Sequence, residues 1–157
     1  MCIVIDCNAL SPVFNSSDSK HSMFSPVKDW IIDGNGKIIY GGTKYKQELS
    51  KLKSILRLLT LLKDRDKRKI IVLDSGQVDF EHMRLENKIK SKNFNDAHIV
   101  AIVIVSGARL ISTLDSKSHE FIKMNSIYPK RFHRPKIYSN SNHQHLLCDR
   151  NIPKKYK

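Results

Sequence analysis

Asn95-Asp96-Ala97-His98-Ile99-Val100-Ala101-Ile102-Val103-Ile104-Val105-Ser106-Gly107-Ala108-Arg109-Leu110-Ile111-Ser112-Thr113-Leu114-Asp115 decides how this chain is read. Its first half is an apolar run of buried-helix character, with Asn95 placed as the cap. Gly107 breaks that run, and residues 108–112 follow as a short strand. A carboxylate stands at each end: Asp96 at the helix start and Asp115 just past the strand. Helix starts and the carboxyl ends of strands are where α/β folds place working groups.

Working outward, residues 2–5 form a short, β-branched run that reads as a buried central strand ending at Asp6. Asn8 is placed to cap the next helix, a role for which Asp6 competes. Pro26 is expected to start a new element. Trp30-Ile31-Ile32 and Lys37-Ile38-Ile39-Tyr40 flank Asp33-Gly34-Asn35-Gly36, the pattern of a hairpin. Thr43 can cap one long helix over 44–63, whose stripe is Leu49, Leu52, Ile55, Leu56, Leu59 and Leu62. Glu48 lies in its first turns, facing either solvent or a cleft.

Residues 70–73 read as a second buried strand and Asp74-Ser75-Gly76 as a turn. A helix over 77–90 follows, with Val78, Met83, Leu85 and Ile89 apolar. Its acids Asp79, Glu81 and Glu86 are assigned to solvent or to pairs such as Glu86 with Lys90. A short helix over 118–123 and an edge strand at Ile137-Tyr138 complete the pattern. From Lys123 to Lys157 the chain carries nine Lys/Arg and one acid. The expected organisation is a domain over 1–125 with a basic segment, 126–157, packed on it or appended to it.

A length of 157 residues suits one domain, and 40% apolar residues suit a globular one. No apolar run approaches the ~20 residues of a membrane span. The start lacks the basic region of a signal peptide. Three cysteines without paired spacing point to reduced thiols. Together these set the expectation of a cytoplasmic protein without membrane contact. Lys and Arg number 28 against 15 acids, a net charge of +13. That balance favours a polyanionic partner, with an acidic protein or simple solubility as the alternatives.

Asp6, Glu48, Asp96 and Asp115 each have a dull explanation alone. As a set they are harder to dismiss, because a parallel sheet would gather Asp6, Asp96 and Asp115 on one edge, and Glu48 can reach that edge from its helix. Crowded carboxylates repel one another and rise in pKa unless a cation is present. The economical cation is Mg²⁺ or Mn²⁺, which prefers oxygen ligands and serves phosphodiester cleavage.

The chain also resembles the PIN-domain ribonucleases. The resemblance rests on Ile3-Val4-Ile5-Asp6-Cys7-Asn8, on Gly41-Gly42-Thr43-Lys44-Tyr45-Lys46-Gln47-Glu48-Leu49, and on the opening stretch. It spans residue 2 to about Ile122. It implies an α/β fold, a three-layer α/β/α sandwich on a mostly parallel sheet. It implies metal-dependent endoribonuclease activity, with Asp6, Glu48, Asp96 and Asp115 as metal-binding acids. Thr113 and Asn8 would hold carboxylates or a metal-bound water. Asn95 stands where many relatives have a second adjacent acid, which removes one candidate ligand. Many relatives are toxins silenced by an antitoxin-like inhibitor protein. The partners expected are single-stranded RNA, such an inhibitor, and a second copy in a homodimer.

Lys44, Lys46 and Lys117 can contact phosphates near the acids. Arg131 and Arg134, interleaved with Tyr128, Phe132 and Tyr138, have the pattern of a single-strand binder. His143-Gln144-His145 with Cys148 fits no usual zinc spacing. Phosphate-loop and nucleophile-elbow motifs are absent. Two other classes of function stay open: a catalytically weak PIN-like module that binds RNA or a partner protein, and a regulatory subunit meeting an acidic protein.

Overall fold

The computed structural model describes residues 2–148, 150 and 153–156. Five strands, β1 (Cys2–Ile5), β2 (Lys37–Tyr40), β3 (Ile70–Val72), β4 (Leu110–Ser112) and β5 (Lys136–Tyr138), form one sheet in the order β3-β2-β1-β4-β5. Every pairing is parallel. The helices are α1 (Cys7–Phe14), α2 (His21–Ile32), α3 (Thr43–Lys51), α4 (Lys53–Arg65), α5 (Ser75–Lys88), α6 (Ala97–Ser106) and α7 (His119–Lys123). Right-handed crossovers place α1, α2 and α4 on one face of the sheet, and α5, α6 and α7 on the other. The result is a three-layer α/β/α sandwich. No helix among the described residues is long and apolar enough to cross a membrane.

The chain leaves β1 to one side through β2 and β3, then crosses back to β4 and β5. The strand order therefore reverses between β1 and β4, the place where open parallel sheets keep their crevice. Val4 pairs with Ile111 and Ile5 with Ser112. The Asp6 amide then donates to Ser112 O at 2.8 Å, which sets Asp6 beside Thr113. β1 is buried at every residue, and α6 is buried along nearly its whole length. This is why neither shows a polar alternation in sequence. Gly107 closes α6 at φ 70°, a left-handed position that suits glycine.

Several expectations are corrected. Asp96, not Asn95, occupies the N-cap position of α6. Pro26 lies inside α2, which starts at His21. The expected hairpin is a helix-to-strand connection. Trp30-Ile31-Ile32 ends α2, extending its buried Phe24, Val27 and Ile31 stripe, while β2 pairs in parallel with β1. Three consecutive apolar residues fit a strand and a helix end equally well. Thr43 begins the next helix rather than capping it, and Gly42 holds the cap position at φ 80°.

The long helix is two helices, broken at Leu52 (φ −97°, ψ 66°). The break allows α4 to pack on β3 while α3 contacts α1, α5 and α6. Since those three belong to both outer layers, α3 lies across the carboxyl edge of the sheet. The stripe continues through the break at three-residue steps, which hides it in sequence. β3 is an edge strand with Val72 38% exposed, not a buried one. Asp74 caps α5, accepting from Gln77 N at 2.9 Å. Met83 is 60% exposed rather than packed. Asp79 is not left to solvent: it accepts from Thr43 N at 2.7 Å and Thr43 Oγ1 at 2.6 Å. Glu86 meets His82 at 3.1 Å instead of Lys90.

Candidate active site

Asp6 holds the N-cap position of α1, yet its side chain makes no capping bond. The carboxylate instead turns into the crevice, where it is only 4% exposed. Its Oδ2 accepts from Asn8 Nδ2 at 2.7 Å and from Thr113 Oγ1 at 2.8 Å. Asn8 is fixed in turn, because its Oδ1 accepts from Leu114 N at 3.1 Å. Thr113 Oγ1 accepts from Asp115 N, also at 3.1 Å. Residues after β1 and after β4 are thus stitched into one polar network across the switch point. Asn8 and Thr113 both hold Asp6, and neither stands alone as a cap.

Asp96 precedes α6, and Asp115 follows β4. Asp96 is half-buried at the start of α6, and its Oδ2 is buried without a hydrogen-bond partner. Asp115 caps the 3₁₀ turn Ser116–Ser118, accepting from Lys117 N at 2.9 Å. Buried Ser118 donates to Asp115 O at 2.8 Å and lies close enough to Asp96 to stabilise its charge. Glu48 reaches the crevice from α3. Its Oε2 meets His98 Nε2 at 3.2 Å. Asn95 is exposed, and its carbonyl accepts from Lys44 Nζ at 3.0 Å.

The electrostatics tie the four acids together. Burial pushes Asp6 up to about 6, with the charges of Asp96 and Glu48 adding and the bonds from Thr113 and Asn8 opposing. Burial also raises Asp96, aided by Asp115 and Glu48 and opposed by Ser118 and Lys44. Burial raises the Cys7 thiol to about 12, with Glu48 and Asp6 adding. His98 is driven down to about 4 by burial, although Glu48 pulls the other way. The acids therefore lie within each other's fields. Among the described residues, however, no three His, Cys, Asp or Glu side chains are drawn together closely enough to hold a metal ion as they stand. The donors are all carboxylate oxygens, and Asp96 Oδ2 has no partner, so the chemistry of the set fits a hard divalent cation.

Comparison with protein-family models, curated proteins and solved structures gives no match for this chain.

The expected phosphate contacts divide. Lys44 stands at the crevice, tied to Asn95. Lys46 is bonded to Ser75 Oγ at 2.7 Å. Lys117 is exposed and follows Asp115 closely. Arg131 and Arg134 lie elsewhere, just before β5; Arg131 is exposed and Arg134 donates to Lys123 O. His143 is committed locally, its Nδ1 accepting from Ser139 N at 3.2 Å. Sequence reasoning missed Ser118 at Asp96. Its only sequence signal is its place three residues after Asp115, which suggests a turn and nothing more.

Thr113→Val tests the network. It removes one of two donors to Asp6 and the acceptor for Asp115 N. Expected results are an Asp6 midpoint above about 6 in a carboxyl-carbon NMR titration and a stability loss of about 1–2 kcal/mol. An unchanged midpoint counts against Thr113 as the group that steadies Asp6.

Proposed function

We propose that this chain is a metal-dependent endoribonuclease of PIN type, hydrolysing phosphodiester bonds of single-stranded RNA. The observation that carries the reading is the mutual electrostatic influence of Asp6, Glu48, Asp96 and Asp115 beside the switch point of a parallel sheet, with Asp6 raised to about 6 by burial and by its neighbours. Those four side chains would hold Mg²⁺ or Mn²⁺. When bound, such an ion would supply an activated water and neutralise charge developing on the phosphate. Asn8 and Thr113 steady Asp6, while Ser118 and Lys44 moderate the charge of Asp96. Lys44, tied to Asn95, and exposed Lys117, two residues after Asp115, would meet phosphates, in a chain of net charge +13. A toxin role with an antitoxin-like inhibitor belongs to this proposal as an expectation of the resemblance, and a cytoplasmic setting and a homodimer belong to it as further expectations.

The test is cleavage of a single-stranded RNA with Mg²⁺ or Mn²⁺ by wild type, Asp96→Asn and Asp115→Asn. Cleavage should require the ion and fall by at least about 100-fold in each variant. Activity that persists in EDTA, or equal rates in all three proteins, sinks the assignment.

One observation favours a catalytically weak binding module instead. Glu48 already has a partner in His98, and the acids are not drawn into a ligand cage. Melting under Mn²⁺ titration separates the two. A competent site raises the melting temperature as the ion binds. RNA binding with no such rise favours the module.

A further inference from the structure

A second charged feature lies at the other end of the strands. Arg109 immediately precedes β4 and Lys136 opens β5, with Lys136 N donating to Arg109 O at 2.9 Å. Both therefore stand at the amino edge of the sheet, opposite the edge that carries Asp6 and Asp115. A cavity of about 420 Å³ opens there, lined by Arg109, Arg134, Lys136, Arg150, His133 and His145 among others. No described carboxylate lines it, and among the described residues none of its Arg or Lys side chains is in an ion pair. A second cavity of about 750 Å³ adjoins it, sharing His133, Arg134 and Lys136 and adding Phe132. The Phe132 ring is half-buried and stacked on Tyr128 at 5.2 Å.

Four formal cations around one cavity repel each other, and a bound anion relieves that repulsion. Arginine forks match phosphate oxygens with two parallel donors. The volume lies within the range that accommodates a small ligand. A ring beside the cations offers a surface on which a base can stack.

We propose that this cavity is a phosphate-binding site, distinct from the carboxylate crevice. Its ligand is a phosphate group carried by a nucleic-acid backbone or by a free nucleotide. The site does not depend on the nuclease reading, since it needs neither metal nor cleavage.

The test uses the full chain in EDTA, where no metal-dependent cleavage can occur. Lys136→Glu/Arg150→Glu changes two exposed side chains at the cavity. Lys53→Glu/Lys63→Glu makes the same charge change on exposed positions of α4, which packs against the opposite edge strand β3. Equal melting curves for the two proteins establish that both fold. The first probe is a fluorescent 15-residue oligouridylate, and the second is uridine 5′-monophosphate. For a backbone ligand, the cavity variant loses at least about tenfold in oligouridylate affinity, and its salt slope falls by about 1.4, as two single-strand phosphate contacts require. The α4 variant loses less than about threefold. For a free-nucleotide ligand, monophosphate binding is measurable in wild type and in the α4 variant and is lost in the cavity variant. Equal behaviour of the two variants toward both probes overturns the proposal.

Discussion

Asp6→Asn is expected to lower metal-dependent RNA cleavage by more than about 100-fold while making the metal-free chain more stable at pH 7. The loss follows from the place of Asp6 among the four acids. Removing a group that merely supports a metal ligand costs about 10–100-fold, so removing a ligand costs more. The gain in stability follows from burial. Asp6 is 4% exposed and its carboxyl is raised to about 6 from 3.8, so at pH 7 the fold carries a buried charge it disfavours. That shift corresponds to an upper bound on the order of 3 kcal/mol. Asparagine keeps the shape, and its carbonyl oxygen can still accept from Asn8 and Thr113. A stabilisation of about 1–3 kcal/mol, read from urea unfolding in EDTA, is therefore expected. The combination is diagnostic, since a residue conserving the fold would lose stability along with activity. A variant that is both inactive and less stable would falsify the placement of Asp6 as a strained functional acid.

The sheet and its acids were unequally legible. β1 and β4 are read from sequence because strands buried on both faces present short unbroken runs of Ile, Val and Leu. The sites of Asp6 and Asp115 follow, since each stands just beyond such a run. Glu48 is harder. It depends on α3 turning away from α4 at Leu52, and a hydrophobic stripe at three-residue steps conceals that turn. Trp30-Ile31-Ile32 misleads for the opposite reason, being too short to carry a period. The His98–Glu48 contact spans 50 residues of chain, and Thr113–Asp6 spans 107. Such pairs depend on register between distant strands and on side-chain direction, which local pattern does not encode. The cavity at Arg109 and Arg150 was invisible for the same reason. Those residues come together only because β5 adds to the sheet beside β4.

Between pH 4 and 6 the metal-free wild type should show a nearly flat stability profile, and Asp6→Asn should make it slope. Two raised acids, Asp6 and Asp96, and two lowered histidines, His98 and the half-buried His119, oppose each other in that window. Asp6 has its folded value raised to about 6 from 3.8, so its contribution is full below about 3.8 and is lost as pH rises through 6. Asp96, also raised, acts in the same sense. His98 is lowered to about 4 from 6.5, so the unfolded chain takes up a proton that the folded chain refuses, and stability grows as pH rises through the window. Each group alone gives at most about 1.4 kcal/mol per pH unit, acids and histidines with opposite sign. Asp6→Asn leaves the histidines less opposed, and stability then climbs with pH. His98→Gln leaves the two raised acids opposed by His119 alone, which burial also lowers, and stability then falls with pH. Urea unfolding in EDTA at pH 4, 5 and 6 measures all three proteins; parallel profiles would show that Asp6 and His98 do not titrate as buried neighbours. Mn²⁺ adds an independent check. Protons and the cation compete for the same oxygens, so Mn²⁺ should stabilise wild type more at pH 7 than at pH 5. At a concentration 100 times its dissociation constant the gain is about 2.7 kcal/mol. Because that gain is read from unfolding alone, it tests the carboxylates as a cation site even before any RNA target is known.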